Sequence, residues 1–278
     1  MKLSFHRFSC QFAAKFPCKT ASGFTLTELL VAISLSSIVV SGAGFGLVTI
    51  MEANAKTEKE VQRRTDLNRA LDYITEDIRM ASQTSSTKPS WGWDSLSGTS
   101  PIAKLYLQIP LSIQAITASS DQITLSNHGF SNGNAIRFTE ANLPSELSAN
   151  TTYYITRATE NKFKIATSIA NAQSGTAVNF ANNYGSMQIN RLLTYYTRET
   201  TGTAWHSPNT INRAAGPCTA PYAASNCPAL VDAITSDGFT ATVTDARKVS
   251  LELKGYPDYT RKPTEAYSVT SQAFARSN

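Results

Sequence analysis

The most prominent feature of the chain is a long apolar stretch near its start. Between Phe24 and Met51 only Glu28 carries a charge, and the run from Leu29 to Met51 contains 23 uncharged residues. An α-helix of about 20 apolar residues is long enough to cross a bilayer. The run therefore predicts a membrane-spanning helix. Because basic residues precede it, its N-terminal end should stay in the cytoplasm and the rest should be exported.

The apolar pattern becomes periodic after Met51. Residues 52–80 contain no glycine or proline, and their apolar side chains recur at helical spacing between charged ones. The periodic positions are Leu67, Leu71, Ile74 and Ile78. This pattern predicts an amphipathic continuation of one helix from about Phe24 to Ala81. Its apolar stripe should pack on a sheet or, alternatively, on a partner helix.

Short apolar runs farther along the chain predict β-strands. The clearest of them are Lys104–Ile109, Arg191–Arg198 and Arg247–Leu253. Two more short elements are expected at Ala229–Ile234 and Phe239–Val243, whereas residues 82–101 have the Ser, Thr, Gly and Pro content of a loop. A long helix followed by such runs predicts an α+β fold, with the helix packed on an antiparallel sheet.

A compositionally distinct block occupies residues 113–182, between the first two predicted strands. Turn signals separate four strand-like runs: Asp121–Leu125, Ala135–Phe138, Thr152–Thr156 and Lys162–Ala166. The stretch from Asn127 to Phe138, with the runs after it, resembles a small β-barrel module of phage-tail and surface proteins. We expect a module inserted in a loop of the head, which serves adhesion or only adds bulk.

The charge of the chain is concentrated at its start. The net charge is +5, and residues 1–23 contain four basic residues and no acidic one, which leaves +1 for the remainder. No later stretch has the dense lysine and arginine clusters that binding to phosphates requires. The sequence therefore predicts no nucleic-acid partner.

The cysteines fall into two pairs. Cys10 and Cys18 lie in the basic leader, and Cys218 and Cys227 lie near the other end of the chain. In an exported domain the second pair predicts a disulfide, with two free thiols as the alternative. A zinc site is poorly supported because no histidine lies near the pair, and we expect neither a metal nor a cofactor.

Residues with catalytic potential are scattered. The sequence shows no nucleophile with a base at a suitable spacing and no paired carboxylates, so we expect no enzymatic activity. His128 lies in a predicted turn and His206 precedes a Ser-Pro pair. We expect both imidazoles to be solvated.

Glu28 decides between three interpretations of the apolar segment. The first is a cleaved secretory signal, for which Ser41–Ala43 is a weak cleavage site, and the second is a plain signal anchor. Neither interpretation explains a carboxylate that costs about 2.5–3.5 kcal/mol inside a membrane helix. A tolerated glutamate near a helix start, where the helix dipole favours an anion, is the simplest alternative.

The third interpretation follows from a resemblance. The segment from Gly23 to Leu30, with its basic leader, closely resembles the prepilin peptidase site of type IV pilins and type II secretion pseudopilins. The resemblance implies cleavage between Gly23 and Phe24, N-methylation of Phe24 and retention of the apolar helix. It also implies that Glu28 meets the terminal amine of a neighbouring subunit, so that two buried charges neutralise each other during assembly.

The same resemblance implies partners, a location and a role. The partners are prepilin peptidase, other pilins or pseudopilins contacted through the N-terminal helix, and an inner-membrane assembly platform. The subunit would be a single-pass inner-membrane protein before assembly and part of a periplasmic or surface filament afterwards. The helix followed by these strands is similar to minor pilins of the PilW type and to J-type pseudopilins. An initiation or tip role, an adhesin-like subunit and a simple signal-anchored domain remain open.

These expectations divide the chain into segments. They are a cleaved leader at 1–23, the membrane and filament-core half of the helix at 24–51, its amphipathic half at 52–81, a β head at 82–112 and 183–278, and the inserted module at 113–182.

Overall fold

A computed structural model describes most of the chain after residue 24. The described residues are 25–93, 96, 99–200, 206, 208–218, 220–245, 247–256 and 266–276. The chain divides into two compact units, Met1–Asn54 and Ala55–Asn278. The helix α1, Leu26–Met80, contributes residues to both. Each unit is considered by itself below.

The described part of the first unit is helical from Leu26 onward. The predicted start at Phe24 lies outside the described residues. Apolar side chains along this part of α1 are exposed; Leu26 and Phe45, for example, are 80% and 77% exposed. No apolar residue of this stretch is buried within the described chain.

The described part of the second unit contains the rest of α1, two short α-helices, a 3₁₀ turn at Ala118–Ser120 and twelve strands. The strands are β1 Gln83–Ser85, β2 Thr99–Ile113, β3 Ala115–Thr117, β4 Gln122–Thr124, β5 Ala135–Phe138, β6 Thr152–Thr156, β7 Lys162–Ala166, β8 Met187–Glu199, β9 Asn209–Ala214, β10 Ala229–Val243, β11 Lys248–Gly255 and β12 Tyr267–Phe274. The short helices are α2 Ile169–Ser174 and α3 Ala223–Asn226.

All strand pairs are antiparallel, and the long strand β8 organises them. The sheet order is β12-β11-β10-β9-β8-β5-β6-β7-β4-β3. One edge of β8 pairs with β2 along its whole length. The other edge is shared, because Thr194–Glu199 pair with β9 and Ile189–Arg191 pair with β5. The predicted α+β class with an antiparallel sheet is confirmed.

The main core lies between α1 and one face of the sheet. Leu67, Ile74 and Ile78 of α1 are fully buried against apolar residues of β2, β8, β10 and β11. The predicted apolar stripe therefore packs on a sheet. Burying a side chain of this size contributes about 1.5–3 kcal/mol.

The block at 113–182 has an apolar cluster of its own. This cluster contains residues from β3 to β7 together with Phe130, Leu147 and Phe180 from the connections between strands. It also includes Ile113 at the end of β2 and Met187 at the start of β8. The two long strands thus contribute to both clusters, since each runs from the head into the block.

The opposite face of the sheet carries two smaller clusters. Side chains alternate between faces along a strand, so Tyr106 and Leu192 point away from α1. Trp91 packs edge-on against Tyr106, with ring centroids 6.2 Å apart. The second cluster contains Tyr196 and the cysteine pair.

The structure differs from the predicted strands in several places. The region predicted as a loop contains β1, and β2 begins at Thr99, before the loop was expected to end. The two short elements predicted near 229 and 239 are one strand, β10, whose pairing with β11 shifts between Ile234 and Phe239. A Cβ at Gly238 would collide with the Lys254 carbonyl, so this bend needs glycine.

Candidate assembly segment and the charged groups of the head

The beginning of α1 is a capping box formed by Thr25 and Glu28. The backbone N–H and the hydroxyl of Thr25 both donate to Glu28 Oε2, each at 3.0 Å. The Glu28 N–H donates in return to Thr25 Oγ1 at 3.3 Å. This reciprocal arrangement satisfies N–H groups that have no partner inside a helix.

The capping box was not predicted, although the sequence contains its signature, a threonine followed three residues later by a glutamate. It gives the Glu28 carboxylate local hydrogen-bond donors within its own chain. The predicted cleavage and methylation positions, Gly23 and Phe24, lie outside the described residues.

Three glycines lie in the middle of the apolar half of α1. No heavy atom outside the local helix lies within 4 Å of a Cβ built on Gly42, Gly44 or Gly46. Small residues on an apolar helix allow another helix to approach closely. This part of α1 is therefore suited to helix packing.

In the head, a buried carboxylate joins α1 to the sheet. Asp77 Oδ2 accepts from the hydroxyl of Tyr195 at 2.5 Å and from Arg213 Nε at 2.8 Å. Burial and the Asp77 charge raise the pKa of Tyr195 well above its usual value. Burial alone would lower the pKa of Arg213, but Asp77 and Tyr195 together raise it. The network keeps Tyr195 neutral and Arg213 charged.

A second arginine, Arg191, lies on β8 between Ile189 of the block's cluster and Leu193 of the main cluster. Its guanidinium donates to the His128 carbonyl and lies over the Phe130 ring at 4.4 Å from the centroid. Burial and the charge of Arg213 lower its pKa to about 10.

The prediction that His128 is solvated is wrong. The residue is only 6% exposed, and its ring stacks on Phe130 and meets Phe163 edge-on. Its Nδ1 accepts from the Phe130 N–H at 2.9 Å. Burial is the main cause that lowers the pKa of the imidazole. His206, by contrast, is exposed as expected.

The second cysteine pair forms a disulfide. Cys218 and Cys227 are bonded, with their Cα atoms 5.7 Å apart, and both residues are buried. The predicted oxidised pair is therefore present. The first pair, Cys10 and Cys18, lies outside the described residues.

Comparison with known proteins identifies the N-terminal segment. Residues 18–44 match the family described as the prokaryotic N-terminal methylation motif. The chain thus carries a prepilin-type N-terminal methylation motif. With its long apolar helix, it is type IV pilin-like. No curated protein and no solved structure matches the chain significantly.

The motif and the apolar helix together have implications for processing and location. Precursors with this motif are processed by prepilin peptidase and assemble with other pilins. The apolar part of α1 is long and apolar enough to cross a membrane, by length and composition. Together the motif and the helix indicate a membrane-anchored precursor.

Proposed function

We propose that this protein is a minor pilin or pseudopilin that takes part in building a type IV pilus or a type II secretion-like filament. In this proposal prepilin peptidase cleaves between Gly23 and Phe24, and the new Phe24 amine is methylated. Before assembly the precursor resides in the inner membrane with its N-terminus in the cytoplasm. An assembly platform then extracts it from the membrane. The protein acts as a structural subunit and catalyses no reaction.

One observation carries the proposal: the carboxylate of Glu28 stands at the start of an exposed apolar helix, inside the matched methylation motif. The apolar side chains that follow it have no partners in the described chain. Equivalent helices of neighbouring subunits would cover them and bring a cationic amine to Glu28. A charge that is buried without a partner is costly, so the pair would favour one register between subunits.

An accessory role at initiation or at the filament tip fits the size of the head. The second unit extends from Ala55 to Asn278, and its described residues form twelve strands. Bulky heads crowd a tight helical array, which disfavours an abundant shaft subunit. We therefore propose a subunit present in few copies.

Mass spectrometry of the protein isolated from cells tests the processing step. We expect the mature chain to begin at Phe24 and to carry one additional methyl group on its amine. A Gly23→Glu variant should remain unprocessed and keep the leader. A mature chain that begins after Ser41 would instead identify a cleaved secretory signal.

Two variants separate the proposed assembly role of Glu28 from its role in the capping box. Glu28→Gln keeps a hydrogen-bond acceptor at the capping position but removes the charge. Thr25→Val removes the capping hydroxyl but keeps the carboxylate. We expect Glu28→Gln to be processed normally and to be lost from sheared filaments, whereas Thr25→Val should still be incorporated.

Immunoblots of the membrane and filament fractions give the measurement. Equal losses of both variants from the filament fraction would show that Glu28 acts only as a helix cap. Normal incorporation of Glu28→Gln would remove the charge pairing from the proposal.

A further inference from the structure

The edge of β8 that faces away from β2 changes its partner strand between Arg191 and Thr194. We call this junction the seam. The strand β9 ends opposite Thr194, and β5 begins just beyond it on the same edge. The two strands meet end to end, and the Ala135 N–H donates to the Ala215 carbonyl at 2.7 Å. The block at 113–182 therefore joins the head at this point.

The loop of residues 215–228 follows β9 and contains α3, and its described residues, 215–218 and 220–228, lie directly on the seam. Its residue Asn226 is fully buried, and both the oxygen and the nitrogen of its side-chain amide form hydrogen bonds. Asn226 Oδ1 accepts from Asn134 Nδ2 of the block at 2.9 Å, while its own Nδ2 donates to the Pro217 carbonyl at 3.2 Å. The Asn226 carbonyl also accepts from the Ala215 N–H at 2.8 Å. One side chain thus ties the block to the loop and holds the loop together.

Two glycines allow the loop to contact the block without a gap. A Cβ on Gly216 would collide with the Gly133 carbonyl, and a Cβ on Gly133 would collide with the Tyr222 ring. Gly133 has a φ of +83°, a conformation that glycine adopts without strain. The fit is therefore tight enough to exclude any side chain at either position.

A second set of contacts extends from the loop to α2 of the block. The Tyr222 hydroxyl donates to the Ala172 carbonyl at 3.1 Å. Gln173 Nε2 donates to the Ala220 carbonyl at 2.8 Å. The loop consequently holds the block at both β5 and α2.

The disulfide joins the two ends of this loop. Cys218 lies next to Gly216 and Pro217, and Cys227 directly follows Asn226. Both sulfurs are buried on the head, where Asn212 Nδ2 donates to the Cys227 carbonyl at 3.3 Å. A covalent cross-link restricts the conformations of the loop and so fixes the positions of the groups that contact the block.

We propose that the disulfide-closed loop 215–228 is a clasp that fixes the 113–182 block on the head, and that oxidation of Cys218 and Cys227 after export completes this docking. The two thiols give two electrons and two protons to an oxidant that carries a disulfide, which becomes a dithiol. Without the bond, the block stays attached through β2 and β8, but its contacts with the loop become dynamic.

Hydrogen exchange of the full chain in detergent tests this clasp. In the Cys218→Ser, Cys227→Ser double variant, we expect amides of residues 133–135 and of α2 to exchange at least about tenfold faster than in the oxidised protein. The amides of β11, which lie away from the loop, should keep their rates. Faster exchange of this kind should also follow when the oxidised protein is treated with a reductant that opens the bond.

An Asn226→Ala variant tests the same contact with the disulfide intact. It should speed exchange at residues 133–135, whereas the matched control Ser225→Ala, which changes an exposed side chain of the same loop, should not. Unchanged rates at these residues in Asn226→Ala would overturn the proposal, even if the cysteine variant failed to fold. Equal acceleration in β11 of the cysteine variant would also overturn it, since the bond would then stabilise the whole head.

Discussion

At the scale of single residues, the head depends on a few buried polar groups that connect distant parts of the chain. Asp77 of α1 accepts hydrogen bonds from Tyr195 of β8 and Arg213 of β9. Tyr195 is fully buried and the Arg213 side chain is only 14% exposed, so the carboxylate compensates a charge that is largely shielded from water. Removing one partner of a buried pair costs more than the pair itself contributes, because the other charge remains.

An Asp77→Asn substitution should therefore destabilise the head strongly. The amide oxygen can still accept a hydrogen bond, but the positive charges of Arg213 and Arg191 would lose their counter-charge. We expect the free energy of unfolding to fall by about 3–5 kcal/mol in urea titrations. Asp72→Asn, on the exposed face of the same helix, should change it by less than about 0.5 kcal/mol. Similar losses in both variants would contradict this role for Asp77.

The buried imidazole of His128 should make stability depend on pH. Since burial lowers its pKa below 6.5 in the folded chain, the unfolded chain binds a proton that the native one does not. The contribution of the neutral imidazole to the free energy of unfolding is therefore fully present above pH 6.5. It decreases as the pH falls toward the folded pKa, by at most about 1.4 kcal/mol per pH unit.

Urea titrations between pH 5 and pH 7.5 measure how the free energy of unfolding changes with pH. This range extends about one to two units on either side of the usual histidine pKa. His128→Gln should flatten the slope of this pH dependence whatever its effect on absolute stability. Ile155→Val removes a methyl group from the same cluster without changing any titrating group, so it should keep the slope. A parent chain with no slope in this range would show that His128 is not held neutral by the fold.

The sequence predicts these residues unevenly, for a physical reason. The Cys218–Cys227 pair was predictable because the partners are close in the chain and the apolar segment implies export. The burial of His128 was not, because the residues that enclose it, Phe163 and Arg191, come from distant strands. Local turn signals describe the backbone around a residue and contain no information on what packs over its side chain.

At the scale of elements, the periodic half of α1 and the strands of the block were predicted best. The strands β5, β6 and β7 begin and end at the predicted residues. Short polar stretches bound each of them, so the local signal was sharp. The strands β9 and β12 were not predicted, because Asn209–Ala214 mixes polar and apolar residues and Tyr267–Phe274 has few large apolar ones. Their pairing with β8 and β11 defines them instead.

The packing of α1 on the sheet leads to a prediction at this scale. Ile74 is fully buried in the main cluster, so Ile74→Ala should leave a cavity and lower the free energy of unfolding by about 2–5 kcal/mol. Val61→Ala, at a position that is 59% exposed on the same helix, should cost far less. Urea titrations of both variants provide the comparison. Equal losses would mean that burial of Ile74 does not set the contribution of α1, since alanine has the higher helix propensity at both positions.

At the scale of the whole molecule, the register of β2 with β8 shows how the 113–182 block can be removed. Ile113 and Met187 are direct partners where the two strands leave the head, so an Asn-Gly turn can replace residues 114–186 and close a hairpin. The newly exposed Ile113, Met187 and Ile189 would be changed to threonine. The main cluster keeps all its members, because none of them lies between 114 and 186.

We expect this shortened protein to fold, to form the Cys218–Cys227 bond and to enter filaments, since the capping box and the apolar half of α1 are untouched. Near-ultraviolet circular dichroism and immunoblots of sheared filaments measure the two outcomes. Intact filaments that no longer attach to surfaces would assign adhesion to the block. Intact filaments that attach normally would show that the block only adds bulk to the head. Loss of filaments from a chain that still folds would contradict the expectation, because the block would then be part of the assembly machinery itself.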